Sequence, residues 1–172
     1  MKDGNTAYKI KTDIRILLFK TVLIQLLLLF LLSGCGKNAY FEKFSTVEQE
    51  NWDMNDIKEF NFRIDDITTS YNMIFIVRNT TDYPYSNLFL FTNMHLPDHT
   101  NVGDTIECLV ADKYGYWLGK GFGKIRENRF LIKDSFRFAD TGNYVLTLEQ
   151  AMRDTLLSGI TDVGLRIEKL SY

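Results

Sequence analysis

Both histidines of the chain lie within one five-residue stretch. "HLPDH" (95–99) contains His95, Asp98 and His99, three side chains of the types that bind zinc. Structural zinc sites use four protein ligands, and the sequence signals no fourth one. The stretch also crosses a proline, which is typical of a turn. We therefore expect two surface histidines here, and we predict no metal and no other cofactor.

The other reactive side chains form no pattern typical of an enzyme. The sequence contains no G-x-S-x-G motif and no Ser-His-Asp or Cys-His order. Two carboxylates held about 5 to 9 Å apart could hydrolyse a glycoside. A chain with 22 acidic residues offers many such pairs by chance, so this signal carries little information. The sequence predicts a protein without catalytic residues.

Cys108 is the only cysteine after Cys35, so no disulfide can form within that part of the chain. It lies in "TIECLV", on the same face of a predicted strand as Ile106 and Val110. A cysteine on an apolar strand face behaves as a small hydrophobic residue. We predict a buried, unreactive thiol.

The segment "LGKGFGKI" (118–125) has a glycine spacing that invites comparison with phosphate-binding loops. A phosphate-binding loop leads into the N-terminus of a helix, and its Lys is followed by Ser or Thr. Here the glycines stand between two strand-like runs. Gly119, Gly121 and Gly123 are more consistent with a hairpin turn or a bulge.

Aromatic side chains near predicted loops are the candidates for partner contacts. Tyr83 and Tyr85 flank Pro84, and Tyr114, Tyr116 and Trp117 lie further along the chain. Aromatic side chains at loops bind protein partners or sugars. Tyr83, Tyr85 and Trp117 are therefore candidate partner-binding residues. The alternative for Trp117 and Tyr116 is that they close the core at the ends of strands.

The N-terminus has the pattern of a lipoprotein signal peptide. The apolar run 21–32 is twelve residues long, within the 7 to 15 typical of a signal peptide and below the roughly 20 needed to span a bilayer. Five basic residues precede it. The sequence Leu32-Ser33-Gly34-Cys35 is typical of a lipobox, with cleavage between Gly34 and Cys35 and acylation of Cys35. We predict a signal peptide over 1–34, a lipidated N-terminus and tether over 35–50, and one domain over 51–172.

Short alternating runs separated by turn residues predict an all-β domain. In "FNFRI" the apolar side chains recur at every second position, as in a half-buried strand. About seven to nine such runs favour an antiparallel β-sandwich that resembles a jelly roll. One short helix is predicted over 149–159, where Met152 and Leu156 are four residues apart and Gly159 could cap its C-terminus.

Charge argues against one class of partner. The chain has 20 basic and 22 acidic residues. Five basic and two acidic residues precede Cys35, which leaves the predicted mature chain with a formal charge of −5. Nucleic-acid binding requires a basic surface, so we predict no nucleic-acid partner.

Three stretches together resemble the GldH family of gliding-motility lipoproteins. They are "RNTTDYPYSNLFLF" (78–91), "DTIECLVADKYGYWLGKGFGKI" (104–125) and "GNYVLTLEQAMRDTLLSGITDVGLRIEK" (142–169). The lipobox at Cys35 and the region around Trp52 fit the same pattern. The likeness extends over nearly all of residues 35–169.

The resemblance implies a lipid-anchored envelope protein of the gliding apparatus, linked to type IX secretion and without known catalysis. Its implied partners are other gliding-motility lipoproteins and envelope proteins, and its implied contact with the membrane is the acylated Cys35. Residues 36–39 lack the acidic run of a surface-export signal and the Asp of an inner-membrane retention signal. We therefore expect an outer-membrane location facing the periplasm. The alternative function is a carbohydrate-binding envelope lipoprotein that uses its loop aromatics.

Overall fold

The computed structural model describes residues 39–170, together with Lys20, Thr21 and Gln25. Gly34 and Cys35, the predicted cleavage and acylation site, lie outside the described residues. The described strands belong to one unit, Asn38–Tyr172. No helix among the described residues is long and apolar enough to cross a membrane.

The described part of the chain is built almost entirely from antiparallel strands. One 3₁₀ turn, Glu48–Glu50, interrupts them. The ten strands are β1 (Ala39–Thr46), β2 (Asn51–Asp53), β3 (Lys58–Ile64), β4 (Tyr71–Thr80), β5 (Asn87–His95), β6 (Asn101–Leu109), β7 (Ile125–Phe136), β8 (Gly142–Gln150), β9 (Leu156–Ser158) and β10 (Ile160–Lys169).

The strand order is that of a jelly roll. One four-stranded sheet has the order β1-β10-β4-β7, the other has β3-β8-β5-β6, and β2 pairs with β9 in a separate two-stranded ribbon. If the ribbon is set aside, the eight remaining strands follow the orders 1-8-3-6 and 2-7-4-5 along the chain. In this arrangement consecutive strands of the eight lie in opposite sheets, except for β5 and β6, which pair as a hairpin in one sheet, and the order is that of the double Greek key of a jelly roll. The predicted fold class is confirmed, and the ribbon brings the strand count to ten.

The core lies between the two large sheets. In β3 the side chains of Phe60, Phe62 and Ile64 are buried while the residues between them are exposed, as their alternation predicts. Phe138 joins the two sheets, since its ring lies 5.4 Å from that of Tyr71 in β4 and 4.9 Å from that of Tyr144 in β8. Such aromatic contacts add to the stabilisation that burial provides.

The strands run between two ends of the sandwich, which we name by their content. The β1 end holds the start of β1 and the turns 65–70, 96–100 and 137–141. The loop end holds the connections 81–86, 110–124 and 151–155 and the β2–β9 ribbon. A strand of ten residues, such as β4, is about 33 Å long, so the two ends are separated by roughly this distance.

Two sequence predictions differ from the structure. Residues 39–46, assigned to the tether, form strand β1, so the β-structure of the domain includes residues well before residue 51. The helix predicted over 149–159 is absent: this stretch contains the end of β8, a turn and strand β9. The four-residue spacing of Met152 and Leu156 therefore does not reflect a helix. Gln150 instead stabilises the turn, accepting a hydrogen bond from the backbone of Met152 and donating one to the carbonyl of Asp154.

Candidate interaction surface

The most prominent feature of the loop end is a hairpin over residues 110–118. The backbone of Leu118 donates to the carbonyl of Val110, and that of Asp112 donates to the carbonyl of Tyr116. The Asp112 carboxylate accepts two further hydrogen bonds, from the backbone N–H groups of Tyr114 (2.8 Å) and Tyr116 (2.9 Å). These bonds stabilise the turn of the hairpin locally.

Large apolar side chains project from this hairpin and from the segment after it. Tyr114 is 74% exposed, Tyr116 72% and Phe122 98%, and Leu118 is also more than half exposed. Large exposed side chains grouped on one surface mark sites of interaction more often than single exposed residues do. We refer to Tyr114, Tyr116, Leu118 and Phe122 as the aromatic surface.

Tyr85 lies at a second position of the loop end, beside a small open cavity. The cavity has a volume of about 240 Å³ and is lined by Tyr85, Phe89, Ala151, Met152 and Arg153. The Tyr85 hydroxyl donates a 2.7 Å hydrogen bond to Asp154 Oδ2, and this bond raises the pKa of Tyr85. The ring is partly exposed, so Tyr85 stays available as a contact residue.

Tyr83 is buried, which corrects its assignment as a candidate contact residue. Its side chain is 3% exposed, and its hydroxyl donates a 2.8 Å hydrogen bond to the carbonyl of Asn87. Burial raises the pKa of the Tyr83 phenol above its ordinary value. The ring packs edge-on against Tyr85, with centroids 5.8 Å apart. Tyr83 therefore supports Tyr85 from inside the protein rather than contacting a partner.

Trp117 is half-buried and packs against the hydrophobic core. It also forms an isolated antiparallel bridge with Ala111 across the hairpin. The core-closing alternative therefore describes Trp117, whereas its neighbour Tyr116 points into solvent. Trp117 anchors the hairpin, and the adjacent tyrosines remain free to make contacts.

The glycine segment forms a second, tighter connection. Lys120 exchanges two backbone hydrogen bonds with Glu127, of 2.9 and 2.7 Å. A side chain at Gly121 would collide with the carbonyl oxygen of Ile125, so this position requires glycine for space. Gly123 instead has a positive φ of 64°. The segment leads into a strand, and no helix N-terminus stands behind it to receive a phosphate.

The histidines lie at the other end of the sandwich, and the cysteine is buried in the core. His95 and His99 are at the β1 end, and His95 Nδ1 is 2.5 Å from Asn101 Oδ1. Within residues 39–170 and the three other described positions, no three His, Cys, Asp or Glu side chains come together as metal ligands. Cys108 is fully buried, and this burial raises the pKa of its thiol to about 12. A thiol with this pKa is not a nucleophile near neutral pH.

Gly159 holds the loop end together, and its replacement tests this role. Gly159 has a φ of 86°, its carbonyl accepts a hydrogen bond from Thr80, and an added Cβ would lie 2.7 Å from the Cα of Tyr83. Gly159→Ala is expected to lower the free energy of unfolding by about 2 to 4 kcal/mol, the sum of left-handed strain and displacement of Tyr83. Gly123→Ala is the matched control, because Gly123 also has a positive φ but nothing lies near its added Cβ.

The control is expected to cost only the strain, about 1 to 2 kcal/mol. Urea unfolding monitored by fluorescence measures both variants. Equal losses of unfolding free energy in the two variants would show that displacement of Tyr83 does not contribute to the effect of Gly159→Ala.

Sequence reasoning missed two members of the aromatic surface, Leu118 and Phe122. Phe122 lies among three glycines, and such a context indicates a special backbone conformation or phosphate binding rather than a role for the side chain. The available signal was chemical: an apolar ring inside a glycine-rich turn has no strand to bury it. Its exposed fraction is the largest among the exposed large hydrophobic residues of the described chain.

Comparisons with known proteins identify the family. The model of the GldH lipoprotein family matches residues 39–167. A gliding motility lipoprotein GldH homolog from Christiangramia forsetii is 34% identical over 156 residues, covering 87% of this chain and 95% of that protein. The gliding motility lipoprotein GldH of Flavobacterium johnsoniae is 33% identical, covering 85% of this chain and 94% of that protein.

Solved structures offer only distant likenesses. Dimeric latent PorU from Porphyromonas gingivalis aligns with a TM-score of 0.33 at 10% identity, covering 82% of this chain and 14% of that one. The VP2 subviral particle of infectious bursal disease virus aligns with a TM-score of 0.19 at 16% identity, covering 78% of this chain and 40% of that one. Neither carries an argument about function. The family match and the two relatives, each spanning most of the chain, show that this protein belongs to the GldH lipoprotein family.

Proposed function

We propose that this protein is a non-catalytic component of the gliding-motility apparatus, anchored by lipids on Cys35 and docking other envelope proteins through its loop end. In this proposal it sits on the periplasmic face of the outer membrane and works with the type IX secretion system and other gliding-motility lipoproteins. Family membership supports the part in motility, since both relatives carry gliding motility in their names.

The observation that carries the docking role is the position of the aromatic surface relative to the proposed anchor. Three residues lie between Cys35 and Ala39, and the four steps from one to the other span at most about 14 Å in a fully extended chain. The β1 end is therefore tied close to the bilayer. The aromatic surface occupies the opposite end, roughly 33 Å further along the strands. It is the part of the domain best placed to reach a partner across the periplasm.

The composition of this surface fits a protein partner. Tyrosine and phenylalanine are enriched at the centres of protein interfaces, where they bury much area at little cost in side-chain entropy. The hairpin is held rigid by the Asp112 hydrogen bonds and by Trp117. A preorganised contact surface loses less entropy on binding than a flexible loop does.

The test is complementation with a variant that lacks the aromatic surface. The gene is deleted in a gliding cell, and the wild type or Tyr114→Ala/Tyr116→Ala/Phe122→Ala is supplied in its place. We expect the wild type to restore movement, and the triple variant to restore less than about a tenth of it. Hot-spot aromatics contribute 2 kcal/mol or more each to binding, whereas exposed residues contribute little to folding. Single-cell gliding speed and colony spreading are the readouts.

The matched control removes exposed apolar side chains from the β1 end. Ile67→Ser/Val102→Ser changes two such residues, which are 39% and 57% exposed. This variant should glide as the wild type does, and all three proteins should melt at similar temperatures and reach similar levels. Normal gliding of the triple variant would refute the docking role. Normal gliding of the deletion strain would refute the role in motility.

The exposed tyrosine rings also favour a second candidate, a carbohydrate-binding function. Sugars stack on such rings, although Lys113 Nζ already lies 4.9 Å from the centre of the Tyr114 ring. Binding of the purified protein to a glycan array, lost in Tyr114→Ala and Tyr85→Ala, would support this function. Absence of binding to envelope glycans leaves the protein-docking proposal in place.

A further inference from the structure

Strand β7 forms one edge of its sheet, and part of that edge is already paired. Its neighbour on the inner side is β4, and on the outer side only Lys120 pairs with it, opposite Glu127, within the described chain. On the N-terminal side of Lys120 the chain turns away towards the other sheet. There the backbone N–H of Leu118 donates a hydrogen bond to the carbonyl of Val110. The outer edge of β7 is therefore paired at Glu127 and has no partner strand after it within the described chain.

The unpaired part presents a defined set of hydrogen-bonding groups. In an antiparallel ladder, successive residues direct their N–H and C=O groups to alternate sides of the strand. Both groups of Glu127 point outward to Lys120. Arg129 and Leu131 must then also point outward, while Asn128 and Phe130 face β4. Past Leu131 the pairing with β4 shifts register, so these two residues form the regular free edge.

An open groove of about 500 Å³ lies beside this edge, between β7 and β6 of the opposite sheet. Leu109, Leu118 and Phe130 give it an apolar lining, and Lys120, Glu127 and Arg129 line its polar side. Glu127 is bound by Arg78 and Arg129. Burial alone would raise the pKa of Glu127, and the hydrogen bonds from the two arginines outweigh burial and lower it.

Lys120 has no ion-pair partner among the described residues. The groove lining therefore carries one uncompensated positive charge. Free backbone donors and acceptors, an apolar wall and one such cation are complementary to an extended peptide with alternating apolar side chains and an acidic residue.

We propose that an extended segment of a partner polypeptide adds as a strand to β7 at Arg129 and Leu131. The segment runs antiparallel to β7, as the chain at Lys120 does where it pairs with Glu127. It places apolar side chains against Leu109, Leu118 and Phe130. Its acidic residue pairs with Lys120. This inference goes beyond the proposed function, because it depends on the free edge and the groove and not on motility.

The experiment selects ligands without assuming the partner. A phage-displayed library of random 12-residue peptides is panned on the purified full chain in detergent micelles. Enriched peptides are synthesised, and their Kd is measured by fluorescence polarisation. We expect sequences with alternating apolar residues and a Glu or Asp, and we expect Lys120→Ala to weaken their binding.

The decisive comparison removes backbone hydrogen bonds and leaves side chains in place. An ester bond substituted for one amide of the peptide, at the residue facing Leu131, should raise Kd by about 5- to 10-fold, the factor expected for one lost hydrogen bond. On the protein side, Leu131→Pro removes an outward N–H that no strand uses, a change tolerated at sheet edges. Leu131→Thr keeps the N–H and is the matched control.

Hydrogen exchange provides the final readout. The amides of Arg129 and Leu131 should become protected when a selected peptide binds, while exposed amides of β6 should not. Selected peptides that bind equally well as amide and ester would overturn the proposal. So would the absence of any enriched peptide, or a concentration-dependent dimer in sedimentation that buries β7 against a second copy.

Discussion

Trp52→Ala is expected to lower the free energy of unfolding by about 3 to 5 kcal/mol, the usual cost of removing a large buried aromatic ring. Trp52 is fully buried in the core, although it belongs to a strand of only three residues. Its indole N–H donates a 2.8 Å hydrogen bond to the carbonyl of Asp56, which closes the turn that leads into β3. The substitution leaves a cavity and an unsatisfied carbonyl at the same place.

The loss should be large relative to the stability of the whole protein, since single domains are stable by only about 5 to 15 kcal/mol. At about 2 to 4 °C per kcal/mol, the melting temperature should fall by about 6 to 20 °C. Trp52→Phe keeps most of the apolar volume and loses only the N–H, so it should cost clearly less. Thermal unfolding by circular dichroism measures both. If Trp52→Ala melted within about 2 °C of the wild type, the β2–β9 ribbon would not be part of the cooperative core.

The sequence predicts β3 well although it is an edge strand with β8 as its one neighbour in the sheet. In β3 the alternation of apolar and polar residues follows burial directly, because one face of the strand meets the core, whereas residues 163–167 of β10 are all buried. Arg166 is the charged residue within this buried run of β10. It is only 7% exposed, because Glu42 of β1 and Glu168 cover it and pair with it. Its partner Glu42 is 124 residues away in sequence, and no local pattern reveals such a contact.

Strand β1 was missed for a different reason. Its pairing with β10 shifts register between Ala39 and Phe41, which breaks the two-residue period that identifies a strand. The helix predicted over 149–159 failed because a spacing of four residues fits a strand-turn-strand path as well as a helix. Over so short a stretch, periodicity alone does not separate the two.

The candidate site was predictable in part. The sequence indicates which aromatics lie near loops, and it identified Tyr85 and the neighbourhood of Trp117. It does not show which of them turn inward. Tyr83 and Tyr85 are two residues apart on either side of Pro84, and only the contact of Tyr83 with Gly159 and Asn87 decides that it is the buried one. Asn87 is close in sequence, but Gly159 is brought against Tyr83 by the tertiary fold.

Replacing Cys35 by alanine is expected to abolish both the predicted signal cleavage and the predicted acylation, and with them the proposed outer-membrane location. The strength of membrane attachment depends on how many acyl chains or apolar residues enter the bilayer. A single fourteen-carbon chain gives only marginal, reversible binding, with an association constant of about 10⁴ M⁻¹, and stable anchoring requires two signals. Without acylation the chain has only the apolar run 21–32, and twelve residues are too few to span a bilayer that requires about 20.

Cys108→Ala is the matched control for Cys35→Ala, because it removes the other cysteine from a buried position that no acylating enzyme can reach. Mass spectrometry of the N-terminal peptide should show lipid on Cys35 and loss of residues 1–34 in the wild type and in Cys108→Ala, and neither change in Cys35→Ala. Membrane fractionation should place the first two proteins in the outer membrane, and the third outside it. Gliding should fail only in Cys35→Ala, because in the proposed role the aromatic surface acts at a fixed distance from the membrane, which requires the anchor. Acylation that persists in Cys35→Ala would contradict the assignment of the anchor. Normal gliding of an unacylated chain would separate the motility function from the anchor.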